Sequence, residues 1–151
     1  MTHCRGLPVC LCKRLRRLGI KWCRAVLEDG YEGWYDKPTH TIWTDERLSF
    51  ARTRTVLAHE IVHAERGDEH TGSAWGELRQ EREVDIVAAR MLLPLEALAD
   101  ALEGAVDEFE VAEVLVVDVE TLRARLADLT PSELAYVDKR LNKLPAQRAA
   151  G

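Results

Sequence analysis

The chain reads as an α+β protein, mainly α, with a small antiparallel sheet packed on one amphipathic helix and a helical C-terminal tail. Three features carry that reading. Residues 49–67, SFARTRTVLAHEIVHAERG, repeat Val56, Leu57, Ile61, Val62 and Ala64 on a helical period. Just before them, YEGWYDKPTHTIWT places aromatic and β-branched residues on either side of Asp36-Lys37-Pro38, the pattern of two short strands and a turn. After them, long apolar-periodic segments are divided by helix stops.

In order along the chain, residues 1–12 read as a flexible N-terminal arm and 13–104 as the main domain. Residues 105–151 form a C-terminal helical subdomain. A first helix is expected over 13–28 despite Gly19, then a turn at Asp29-Gly30. In the sheet, His40, Ile42 and Thr44 alternate with Thr41 and Trp43, and an exposed edge strand could pair with an extended peptide. The HEIVH helix stops at Gly67. A loop over 67–76 leads to a helix from Glu77 to Leu93, with Leu78, Val84, Val87, Ala88, Met91 and Leu92 as its apolar positions. Pro94 ends that helix and opens a third, to Leu102. Two more are expected over 107–116 and 119–128, with Asp118 as N-cap of the latter. Thr130-Pro131-Ser132-Glu133 is a capping box that opens a last helix to about Leu144.

With 151 residues, 46% hydrophobic and 31% charged, the chain is long enough for one domain with its own core. No apolar run approaches the roughly 18 residues of a membrane span. The basic N-terminus does not read as a secretory signal, because Lys13, Arg14, Arg16 and Arg17 break its apolar stretch. A cytoplasmic protein is expected. The net charge of −5 is unevenly spread: residues 1–24 hold 7 Lys or Arg and no acid, leaving 14 bases against 26 acids elsewhere. The basic segment reads as one helix face balancing an acidic body, and nucleic acid is not an expected partner. Cys4, Cys10, Cys12 and Cys23, even with His3, lack the paired spacing of a zinc knuckle and read as reduced thiols.

Within the central helix, HEIVH sets His59 and His63 four residues apart, on one face. Two imidazoles so placed can bind Zn²⁺. Glu60 beside them is placed to act as the general base of a hydrolysis. An open catalytic zinc needs one more protein ligand, and the stretch RQEREVD offers it. Glu81 is the expected metal ligand. Asp85, one turn on, would hold the far nitrogen of a zinc-binding histidine. Glu83 is the competing ligand, about 200° around the helix from Glu81, and Glu77 is a weaker one. His70, Tyr31 and Tyr35 are open candidates for stabilising an oxyanion.

HEIVH within TVLAHEIVHAERGD, followed by EREVDIVAARMLLP, resembles the ImmA/IrrE family of metallopeptidases. That family joins an H-E-x-x-H helix to a downstream helix of the form E-x-E-A-[ND]-x-F-A-x-x-L-L-x-P. Val84 stands where the family usually has Ala, and Val87 where it usually has Phe. The resemblance implies a zincin-like, zinc-dependent peptidase fold. It also implies a protein substrate, a repressor or other transcription regulator, in a phage or mobile-element immunity switch. A zinc-containing regulatory protein that binds a repressor without cutting it is the alternative. The segment 108–128 has the outline of a helix-turn-helix. Its Glu108, Glu110, Glu113, Asp118 and Glu120 set against Arg123 and Arg125 favour packing or partner docking over DNA.

Overall fold

Where one helix over 13–28 is expected, the computed structural model, which describes residues 7–28, 30–68 and 74–143, has a helix and a strand. Helix α1 (Val9–Leu18) stops at Gly19, whose φ of 65° is left-handed and whose N–H bonds back to Arg16. Glycine adopts that conformation without the Cβ clash other residues meet, so the apolar period of the following residues is not continued as helix. Lys21–Ala25 form strand β1 instead. α1 also begins inside the segment read as an arm.

β1 changes the sheet. Strands β2 (Gly33–Asp36) and β3 (Thr41–Asp45) are the expected antiparallel pair, with Trp34 opposite Trp43. β1 adds to the other edge of β3 in parallel, Trp22 opposite Ile42. The sheet is therefore mixed, in the order β1-β3-β2. Its central strand has Ile42 and Thr44 fully enclosed, and Trp22 Nε1 donates to Thr44 Oγ1 at 2.9 Å.

Helix α2 (Phe50–Arg66) is capped by Ser49, whose side chain accepts from the Arg52 N–H. It buries Val56, Leu57, Ala58, Ile61 and Val62 against the sheet and α3 (Ala74–Leu92). α3 gives Val84, Ala88 and Met91 to the same core, but Leu78 and Val87, also expected on its apolar face, stay 51% and 41% exposed. Then come α4 (Leu95–Gly104), α5 (Glu108–Leu115), α6 (Val119–Ala127) and α7 (Pro131–Asn142). The expected capping box of α7 is present, with Thr130 and Glu133 bonded reciprocally.

The tail is fastened to α2. Arg52 pairs with Asp118 at 3.0 Å and also with Glu32, just ahead of β2. Arg54 Nη1 donates to the carbonyls of Leu115 and Val116, and Val116 holds a left-handed φ of 54°. At the N-terminal end, Arg14 and Arg17 grip Glu65 of α2 at 2.8 and 2.7 Å. No described helix is long and apolar enough to cross a membrane.

Candidate metal centre

α2 carries His59 and His63 one turn apart, and their Nε2 atoms face each other at 3.0 Å. Each ring is held from behind. His59 Nδ1 meets Asp85 Oδ1 of α3 at 2.8 Å, and His63 Nδ1 meets Asp68 Oδ2 at 3.1 Å. A neutral imidazole donating from Nδ1 presents a bare lone pair at Nε2, the form in which it binds a metal. Glu81 arrives from α3 with Oε2 3.0 Å from His59 Nε2 and Oε1 3.2 Å from His63 Nε2.

The donor set therefore consists of two imidazole nitrogens and a carboxylate, with ligand atoms all within 4.8 Å of one another. Bonds of 2.0–2.1 Å in a tetrahedron give ligand–ligand edges of about 3.3 Å, close to the 3.0–3.2 Å spacings here. Lone pairs converging on one point repel unless a cation lies between them, so the residues fit a divalent ion.

Other sequence candidates fall elsewhere. Glu83 turns away and pairs with Arg66 and Arg79, each at 3.2 Å. The Glu77 side chain, His70, His3 and Cys4 lie outside the described residues. Cys10 Sγ lies 3.8 Å from the Met91 carbonyl, Cys12 is buried in the core, and Cys23 is on β1. Tyr31 and Tyr35 both line the cleft in front of the histidines. In the tail, Arg123 pairs with Glu108, and Arg125 is buried, its Nε donating to the Leu93 carbonyl.

Asp68 was not singled out from the sequence. Gly67 ends α2, and the N–H groups of both Gly67 and Asp68 return to the His63 carbonyl. That turn folds the next carboxylate back over the ring it supports. An acid directly after the helix-ending glycine, five residues past the second histidine, was the available signal.

Glu60 faces a cleft of about 690 Å³ whose floor is the histidine pair and whose wall is β2. Contact between strand and helix is close at Gly33. A Cβ there would lie 2.4 Å from Val56 Cγ1 and 3.2 Å from Glu60 Oε1, so a side chain would force β2 off α2. Burial holds the Glu60 carboxyl above its usual pKa, with Glu81 adding to it; both imidazoles and the Tyr35 N–H pull the other way. His59 is also raised: burial opposes its charge, but the Asp85 hydrogen bond and the charges of Glu60, Asp85 and Glu81 together outweigh it.

β2 presents a free edge to this cleft. The Asp45 N–H donates to the Glu32 carbonyl, which marks that pair as hydrogen-bonded. In an antiparallel ladder the bonded pairs alternate, so Trp34 and Asp36 bond to β3. The backbone N–H and C=O groups of Gly33 and Tyr35 then point away from β3, and the Tyr35 N–H donates to the Glu60 carboxylate.

The family model described as Peptidase_M78, IrrE N-terminal-like domain, matches residues 15–127. No curated protein matches the chain significantly.

Proposed function

Since the chain belongs to the Peptidase_M78 family of IrrE N-terminal-like domains, which points to a metallopeptidase, we propose that it is a zinc-dependent endopeptidase. Its substrate is a cytoplasmic protein, a transcriptional repressor or regulator of the kind found in phage and mobile-element immunity switches. The observation that carries the reading is the joint placement of two Nε2 lone pairs, the Glu81 carboxylate and the Glu60 carboxyl at the floor of an open cleft.

His59, His63 and Glu81 would hold the ion, and three neutral-or-anionic N and O donors suit Zn²⁺. When bound, zinc supplies Lewis acidity, polarising a carbonyl and making water more acidic. The chain's own groups do the rest. The outward N–H and C=O groups of Gly33 and the C=O of Tyr35 pair with an extended peptide and lay its backbone across the cleft, while the Tyr35 N–H holds the Glu60 carboxylate. Glu60 accepts the proton of the attacking water on its carboxylate. The carboxylic acid so formed hands that proton to the departing amine. Asp85 and Asp68 hold both imidazoles at Nδ1, which keeps each ring turned with Nε2 toward the site.

A site used only to hold the fold together needs no base beside it, so Glu60 favours cleavage over simple binding. Co-expression with the repressor of the same genetic locus tests this. Wild type is expected to yield two discrete repressor fragments, and Glu60→Gln none at equal expression. Release of the repressor from its operator by both proteins, with no fragments from either, would favour the binding reading instead.

A further inference from the structure

Adjoining the main cleft lies a second hollow, of about 290 Å³, bounded by Leu27, Glu28, Tyr31 and Trp34. Tyr31 and Trp34 also line the main cleft, so the two spaces meet at this aromatic pair. The rings cross edge to face, with 6.0 Å between centroids and 83° between planes. Each is about half exposed, at 53% and 52%, so ring faces remain open to a ligand. Neighbouring side chains of a strand point to opposite faces. Gly33 faces Val56 and Glu60, so Trp34 faces the other way, into the hollow.

Among the described residues, Glu28 supplies the charged side chain of this hollow. It is exposed, and among the described residues its carboxylate has neither an ion pair nor a hydrogen-bond donor. A hollow with an aliphatic wall, two aromatic rings and an unpaired carboxylate suits a side chain with an apolar stem and a cationic head. The stem would lie on Leu27 and Trp34, and the head would meet a ring face and Glu28. A purely apolar side chain would cover the same surface but leave that carboxylate partly desolvated without a partner.

We propose that this hollow is the subsite that reads a basic side chain, Arg or Lys, of the substrate. It rests on the reading of the cleft as a peptide site. A strand paired with the free edge of β2 puts the residue opposite Trp34 on Trp34's face, and its two neighbours on the face of Glu60. The subsite is therefore one residue out of step with those facing the metal centre. It selects for a basic residue at a fixed place beside the scissile bond.

Binding tests the proposal without catalysis. The zinc-loaded protein is titrated with N-acetyl-arginine methylamide and with its neutral isostere N-acetyl-citrulline methylamide and the leucine analogue, following the Trp34 indole N–H and the Tyr31 ring by NMR. The arginine compound is expected to move both signals and to bind about tenfold tighter than citrulline. Glu28→Gln should reduce it to the citrulline level. Equal binding of leucine or citrulline, or no effect of Glu28→Gln, would overturn the proposal. Cleavage of a mixed peptide library then separates the two readings. Wild type should enrich Arg or Lys at one position, and Glu28→Gln should lose that enrichment; cleavage without basic preference also overturns the subsite. Arginine binding intact with no library peptide cut would count against the peptidase and leave the subsite standing.

Discussion

At the scale of single residues, the site depends on what stands behind each imidazole. Asp85 and Asp68 fix the rings, while Glu81 completes the donor set and Glu83 is occupied by Arg66 and Arg79. Zinc affinity is therefore expected to be graded. Glu81→Ala should fall well below one zinc per chain, and Glu83→Ala should keep it. Asp68→Ala and Asp85→Ala should each weaken binding about 10–100-fold, the usual effect of losing a carboxylate that orients a ligating histidine. Competition against a chelator of known affinity measures all four; a Glu83→Ala variant as weak as Glu81→Ala would reject this assignment. Much of the group can be read from the chain, because helical spacing alone aligns His59 with His63 and Glu81 with Asp85. Asp68 was not legible in that way. Its position depends on a left-handed turn at Gly67, not on any periodicity.

Among the elements, the contact that shapes the cleft is β2 against α2. Gly33 permits it, since a Cβ would sit 2.4 Å from Val56 Cγ1. Gly33→Ala is expected to destabilise the fold by about 1–3 kcal/mol, the range for overpacking a filled interface. It should also lower peptidase activity, because the free edge of β2 is displaced from Glu60. Adding Val56→Ala opens that space and should recover part of the activity even though it removes core volume. Denaturation midpoints and cleavage rates of the single and double variants check this; a double variant no more active than Gly33→Ala alone would show that the contact does not govern the cleft. The sequence displays the hairpin plainly, through its aromatic and β-branched residues around a Pro-containing turn. The parallel strand β1 was hidden because Leu15, Leu18 and Trp22 continue a helical period across Gly19. One backbone conformation, φ 65° at Gly19, outweighs that pattern.

Over the whole molecule, the tail shares the main body's apolar core through Val111, Ala112, Val117 and Leu122 and is also tied to it by charged groups. Glu133 on α7 accepts from Arg90 of α3 and Arg125 of α6, and Arg125 reaches the Leu93 carbonyl. The Arg90 hydrogen bond is the largest influence holding the Glu133 carboxyl down to about 2 from 4.5. The unfolded chain binds this proton more tightly than the folded one, so ionised Glu133 favours folding. That contribution is complete above about pH 4.5 and fades as the pH falls toward about 2. Urea denaturation across this window should show a steeper loss of stability in wild type than in Glu133→Gln, and parallel curves would contradict it. The helices of the tail are legible from their caps, Asp118 and the Thr130–Glu133 box. Their attachment is not, because Arg52, Arg54, Arg90 and Arg125 read in sequence as ordinary surface charge and acquire partners only through long-range packing.

In the proposed mechanism Glu60 works as a base beside a three-ligand zinc site. The most direct measurement compares peptide hydrolysis by wild type and Glu60→Gln after both are loaded to one zinc per chain. Zinc content is expected to be equal, and the rate lower by about 10²–10⁴-fold in the variant, the usual worth of a positioned general acid–base group. Hydrolysis at the wild-type rate by zinc-loaded Glu60→Gln would contradict it.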